Sequence, residues 1–174
     1  QMADSAANTR HAEILIIGSG PAGWTAGIYG ARAMRDVLVV TGIQPGGQLT
    51  ITTDVENYPG FTEIQGPELM VKMQEHAEAM GAKVADDHIA SVDFDVRPFR
   101  AVGESGTVYT ADSVIISTGA QAKWLDLPTE QKFKGFGVSA CATCDGFFYR
   151  GREVLVVGGG NTAVEEALFL TNFA

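Results

Sequence analysis

A chain of 174 residues, 45% hydrophobic and 19% charged, has a globular composition and the length for one core, or for one domain and part of a second. Its net charge of −9 and pI near 4.7 offer no basic surface to a phosphate backbone or an anionic membrane, which argues against both as partners. The longest apolar runs, near Ile14 to Ile17 and Val154 to Val157, fall far short of the roughly 20 residues a membrane span needs, and no signal peptide is expected. Only two cysteines are present, at redox-motif spacing, which fits a reducing cytoplasmic compartment.

Residues 1–12 are small and polar and predict a frayed tail. Glu13 to Ile17 then predicts a strand, Gly18-Ser19-Gly20-Pro21-Ala22-Gly23 a tight turn, and Trp24 to Arg32 a helix. That order is a dinucleotide fingerprint. Gly18 permits the turn, Gly20 admits a pyrophosphate to the backbone, and Gly23 lets the helix pack, with the helix N-terminus toward the phosphates. The competing reading is a glycine-rich turn that binds nothing. Val37 to Thr41 predicts a second strand, but where an acid about 20 positions on would hold a ribose hydroxyl, the sequence has Thr41-Gly42.

Gln44-Pro45-Gly46-Gly47-Gln48-Leu49 predicts a turn with amides open to a ligand, followed by Thr50, Thr52 and Thr53, and Asn57-Tyr58-Pro59-Gly60 predicts another turn. A helix follows: Pro67 suits its first position, Leu69, Met73, Ala77 and Met80 share a stripe, Glu68 and Lys72 pair, and Gly81 ends it. Its methionines are read as core. Lys83 to Asp86, Ile89 to Asp95, Pro98 to Val102 and Thr107 to Thr110 predict short strands, two of them joined by the turn Gly103-Glu104-Ser105-Gly106. They form an antiparallel meander on a parallel sheet, and Ser113 to Ser117 returns as a buried strand ending at Thr118-Gly119, where α/β sheets bind ligands.

Little periodicity marks Ala120 to Phe136, and an interdomain linker is expected near residues 117–125, giving domains of 1–120 and 121–174. Glu153 to Val157 predicts a further strand, Gly158-Gly159-Gly160-Asn161-Thr162-Ala163 a second fingerprint of the GxGxxA form, and Val164 to Phe173 a helix. The sequence ends at Ala174 before a crossover could reach its next strand, so a fragment is expected.

Both cysteines lie in Ala140-Cys141-Ala142-Thr143-Cys144-Asp145-Gly146. Cys141 and Cys144 could be a dithiol/disulfide centre, half of a zinc site, or inert core residues. Zinc is disfavoured because the only other soft ligands are the scattered His11, His76 and His88, which are read as structural, so no metal is expected. Two inert cysteines at this spacing, beside an acid and between two dinucleotide turns, would be a coincidence. Asp145 could protonate a leaving thiolate or cap a helix. Two dinucleotide turns around one dithiol suggest two cofactors in series, a nicotinamide and a flavin that exchanges with both nicotinamide and sulfur.

Together with Glu56-Asn57 and Ser117-Thr118-Gly119, these motifs resemble the bacterial-type, low-molecular-weight thioredoxin reductases from about His11 to Ala174. The resemblance implies an α/β protein with a Rossmann-like FAD-binding domain carrying the meander, and the start of a second Rossmann-like domain for NADPH that carries the dithiol. It places FAD at Gly18, Ser19, Gly20, Pro21, Ala22, Gly23, Thr41, Gly42, Gly46, Gly47, Gln48, Leu49, Thr52, Asn57, Val84, Thr118 and Gly119, and NADPH at Gly158, Gly159, Gly160, Asn161, Thr162 and Ala163. It makes Cys144 the flavin-facing sulfur, Cys141 the attacker of thioredoxin, and Asp145 the acid, in a cytoplasmic homodimer. Members of that family return after the NADPH domain to complete the FAD domain, and this sequence does not. Two rivals stand beside this reading: a flavoprotein reductase serving a peroxiredoxin, and a non-catalytic nucleotide-binding fragment.

Overall fold

Val37 to Val40 are buried at all four positions, which requires a strand covered on both faces. The computed structural model describes residues 8–174 and divides into two units, one ending at Ala120 and one spanning Gln121–Ala174. In the first unit the chain runs β1 (Thr9–Ile17), α1 (Pro21–Arg32), β2 (Val37–Val40), a 3-10 turn (Gly47–Ile51), β3 (Asp54–Val55), β4 (Ile64–Gln65), α2 (Gly66–Ala79), β5 (Lys83–Ala85), β6 (Ile89–Asp93), β7 (Phe99–Gly103) and β8 (Val108–Ile116). Six strands form one sheet in the order β5-β2-β1-β8-β7-β6, with β5, β2, β1 and β8 parallel and β8, β7 and β6 an antiparallel meander. This is a Rossmann-like α/β fold with an antiparallel meander.

Side-chain alternation along β1 and β2 divides the core in two. Ile16, Val37 and Val39 face α1 and α2, where they meet Trp24, Ile28, Leu69, Met73 and Ala77. Leu15, Ile17, Leu38 and Val40 face the other way and pack with Ala85, Ala101, Tyr109 and Ala111. Met70 and Met73 are both buried, as core methionines. Each fully buried aliphatic side chain contributes roughly 1.5–3 kcal/mol, so β1 and β2 anchor the unit.

The structure departs from the sequence expectations at three places. Residues 1–7 lie outside the described residues, but Thr9 to Ala12 are not tail: they pair with Val108 to Ala111 as the first part of β1. Thr107 to Thr110 and Ser113 to Ser117 are one strand, because β8 pairs with β1 along its length while β7 covers only its first half. The second half is not the buried strand expected: past the end of β7, Ile115 and Ile116 are 38% and 63% exposed. Asp112, which lies between the two expected strands, is exposed there beside His11.

In the second unit the elements are α3 (Glu130–Phe133), α4 (Ala142–Asp145), a 3-10 turn (Gly146–Tyr149) and α5 (Asn161–Leu170). Here the third departure occurs: Glu153 to Val157 is not a strand. A strand exists by its neighbour, and among the described residues of this unit the only bridge is an isolated one between Lys134 and Val138. Leu155 is accordingly 88% exposed. No helix among the described residues is long and apolar enough to cross a membrane.

Candidate functional site

The register of the first sheet aligns three chain exits. Ile17 is level with Val40 on β2 and with Ile116 on β8, so Gly18-Ser19, Thr41-Gly42 and Ser117-Thr118-Gly119 leave the sheet side by side at its carboxyl edge. Gly18 turns at φ +107°, its N–H donating to Val40 O at 2.9 Å. A Cβ on Gly18 would stand 2.3 Å from Ser117 O, and one on Gly23 would stand 2.0 Å from Gly18 O. These two glycines are therefore demanded by protein packing. Ser117 Oγ closes the turn by donating to Ile17 O at 3.0 Å and Gly18 O at 3.2 Å.

Gly20 differs from them. A Cβ there would meet nothing within 4 Å, and Gly20 is the N-cap of α1 with no side chain capping the helix. Pro21 has no N–H to satisfy, so the first-turn amides of Ala22 and Gly23 form a positive helix end beside an open backbone. That arrangement fits an anionic pyrophosphate.

Ser19 is buried and joins the surrounding loops: its Oγ donates to Thr41 O at 2.7 Å and accepts from Gly46 N at 3.0 Å. Gly46 and Gly47 are both left-handed, at φ +87° and +66°, and a Cβ on Gly47 would lie 3.5 Å from Gly20 Cα. The second loop thus stands against the first turn. Its far end is fixed by Thr52 Oγ1 donating to Gln48 O at 3.0 Å and by Gly66 on α2, where a Cβ would be 2.1 Å from Leu49 O. Leu49 packs on the core, while Gln48 is exposed. Thr118 and Gly119 are exposed beyond β8, Asn57 is exposed in the β3–β4 loop, and Val84 sits mid-β5 with its side chain against the core. The structure gathers Gly18 to Gly23, Thr41, Gly42, Gly46 and Gly47, while Asn57 and Val84 lie apart from these contacts.

Two neighbouring acids were not marked as site residues by sequence reasoning. Asp86 accepts a hydrogen bond from Thr41 Oγ1 at 3.1 Å. Asp87 holds the meander: it accepts from Ser105 Oγ, Tyr109 Oη, Ser105 N and His88 N. Burial alone would raise the Asp87 carboxyl, but those donors outweigh it and hold it down at about 2. Burial, reinforced by Asp87, pushes the Tyr109 phenol up. The only sequence signal was an acidic pair at the end of a predicted strand.

In the second unit Cys141 and Cys144 form a disulfide. Cys141 is the N-cap of α4: its Sγ accepts from Cys144 N at 3.2 Å and lies 3.4 Å from Thr143 Oγ1, while its N–H donates to Ser139 Oγ at 3.0 Å. Ala142 N donates to Glu166 Oε2 at 2.9 Å, which ties the dithiol segment to α5. The helix-cap alternative for Asp145 fails, because α4 is capped by the Cys141 sulfur and the Asp145 carboxylate makes no cap bond to the following 3-10 turn. Among the described residues no three His, Cys, Asp or Glu side chains gather as metal ligands. Gly158 turns at φ +135°, Gly159 and Gly160 have open space where a Cβ would stand, and Gly160 begins α5 without a side-chain cap. Asn161, Thr162 and Ala163 form the first turn of that helix.

The profile of a family described as pyridine nucleotide-disulphide oxidoreductase matches residues 12–174. A thioredoxin reductase of Rickettsia conorii is 60% identical over 163 residues, 93% of this chain and 53% of the relative. A Pseudomonas fluorescens protein named glucosaminate ammonia-lyase is 57% identical over 166 residues, 95% of this chain and 52% of that relative. Among solved structures, thioredoxin reductase from Giardia duodenalis superposes with a TM-score of 0.88 at 48% identity, covering 95% of this chain and 54% of that one. The chain spans about half the length of the curated relatives it matches. With two fingerprint turns, a Cys-x-x-Cys disulfide and a family match across nearly its whole length, the chain belongs to the pyridine nucleotide-disulphide oxidoreductase family.

Proposed function

We propose that the protein to which this chain belongs is a thioredoxin reductase, drawing electrons from NADPH and delivering them to oxidised thioredoxin. The observation that carries this reading is the Cys141–Cys144 disulfide at the start of α4. An ammonia-lyase reaction has no use for a two-cysteine redox centre, so the site favours the reductase name among the relatives.

Gly18 to Gly23, Thr41, Gly42 and Gly46 to Leu49 would hold FAD, and Gly158 to Ala163 would hold NADPH. The open backbone at Gly20 and the uncapped start of α1 fit the FAD pyrophosphate, and the uncapped start of α5 fits that of NADPH. FAD, when bound, supplies the two-electron relay between nicotinamide and sulfur. In its dithiol form, Cys141 is the better attacking sulfur, since the Cys144 amide and the start of α4 direct donors at Sγ and stabilise charge there. Cys141 thiolate attacks one sulfur of the partner disulfide, forming a mixed disulfide and expelling the other sulfur as a thiolate, which Asp145 protonates. Cys144 thiolate then displaces the partner, closing the Cys141–Cys144 ring and expelling the second thioredoxin sulfur as a thiolate, which takes a proton from solvent to complete the dithiol. The unit ending at Ala120 is the FAD-binding part, and Gln121–Ala174 is the beginning of the NADPH-binding part. A cytoplasmic location suits a dithiol that must be recycled in a reducing compartment, and a homodimer is part of the same proposal.

The test is Cys144→Ser in the intact enzyme. Reduction of thioredoxin should be lost while NADPH still bleaches the flavin, and retained thioredoxin reduction would overturn the assignment. Turnover of a peroxiredoxin in preference to thioredoxin would move the partner, and ammonia release from glucosaminate without NADPH consumption would favour the lyase.

A further inference from the structure

The first fingerprint has no acid at the end of β2, where a dinucleotide fold ordinarily holds a ribose hydroxyl. Thr41 stands there. The parallel register of β2 and β5 sets Val40 level with Ala85, so the next residues, Thr41 and Asp86, are neighbours at the carboxyl edge of the sheet. Thr41 N donates to Ala85 O at 3.0 Å and Gly42 N to Asp87 O at 2.9 Å, which clamps the two strand ends together. Thr41 Oγ1 then donates to Asp86 Oδ1 at 3.1 Å.

The two acids here are used differently. The Asp87 carboxylate is taken up by Ser105, Tyr109 and His88. Asp86 is exposed, and among the described residues its Oδ2 accepts no hydrogen bond. A nucleotide anchored at Gly20 and the start of α1 extends its adenosine across the end of β2 toward β5, which is the side on which Asp86 lies.

We propose that Asp86 is the ribose-binding acid of the first nucleotide site, supplied by β5 in place of β2 and oriented by the Thr41 hydroxyl. This rests on the reading of Gly18 to Gly23 as a pyrophosphate turn. The free Oδ2 accepts a ribose hydroxyl while Oδ1 remains on Thr41. Two strand ends thus share one job.

The test measures binding of ADP, 2′-deoxy-ADP and 3′-deoxy-ADP to the 174-residue chain by calorimetry, with no turnover required. The wild-type chain should bind ADP roughly 10- to 100-fold more tightly than at least one deoxy analogue, as expected for a hydrogen bond to a charged group. Asp86→Asn should weaken ADP binding and reduce that discrimination several-fold with an unchanged melting temperature, since the residue is exposed. Asp86→Glu should restore part of it. Discrimination that survives intact in Asp86→Asn, or its absence in the wild-type chain, overturns the proposal and leaves the turn reading standing. A wild-type chain that binds none of the three nucleotides removes the turn reading, and this proposal with it.

Discussion

The two glycine fingerprints of this chain look alike in sequence and are built differently. In the first, Gly23 is forced by sterics: a Cβ would sit 2.0 Å from Gly18 O, so α1 can approach the turn only without a side chain. In the second, the corresponding position is Ala163, whose Cβ is tolerated 3.0 Å from where a Gly158 Cβ would be. The first turn leaves a strand whose side chains are locked on both faces, while the second leaves an unpaired segment with Leu155 in solvent. A shared motif therefore fixes local backbone shape, and the tightness of its packing comes from the sheet behind it.

The largest effect expected from this contrast is at Gly23. Gly23→Ala should destabilise the first unit by about 3 kcal/mol or more, because the methyl meets fixed backbone and not a mobile side chain. Ala163→Gly should cost no more than about 1 kcal/mol, the usual helix penalty of glycine. Urea unfolding of both variants reads the difference. Equal losses would show that the two turns are packed alike.

The meander of the first unit gives the next effect. Asp87 is held at about 2, below its unfolded value near 3.9, so it contributes stability that is present above about pH 4 and lost as pH falls toward 2. Allowing for the water that reaches this side chain, Asp87→Asn should cost about 1–2 kcal/mol at neutral pH, with the gap from wild type closing in acid. Thermal melts across that pH range check it, and a gap independent of pH would remove the charge from the explanation.

The same contrast explains what the sequence revealed. The strand, turn and helix from Glu13 to Arg32 were legible because aliphatic runs, glycines and helix periodicity all agreed. Gly20 and Gly46-Gly47 were legible for the same reason: a backbone that must bend or open leaves glycine behind. Thr9 to Ala12 were not, since polar residues join a strand only when a partner such as Val108 to Ala111 is available, and pairing is a long-range fact. Glu153 to Val157 failed in the opposite sense, having strand composition and, among the described residues, no partner strand. Asp86 was missed because its significance depends on β5 lying beside β2, and sequence distance hides that neighbourhood.

Trp24 tests whether the tightly built unit is also fully satisfied. Its ring is buried against the sheet, yet among the described residues its Nε1 is a buried polar atom without a hydrogen bond. Trp24→Phe removes an unpaired donor, a gain of about 1–3 kcal/mol, and loses ring volume, a cost of similar size. The net change in unfolding free energy should be within about 1 kcal/mol. Trp24→Ala, by contrast, should lose about 3–5 kcal/mol.

The smallest effect belongs to the second unit. Leu155 has strand-forming neighbours, but it is 88% exposed, and among the described residues no strand pairs with it. Leu155→Ala in this chain should therefore change stability by less than about 0.5 kcal/mol, whereas Leu15→Ala in β1 should cost about 2–5 kcal/mol. Hydrogen exchange supplies the parallel reading: amides of 153–157 should exchange quickly, and those of β1 and β2 should be slow. Slow exchange at 153–157 with a costly Leu155→Ala would show that this segment has found a partner in solution, and the asymmetry between the two fingerprints would then vanish.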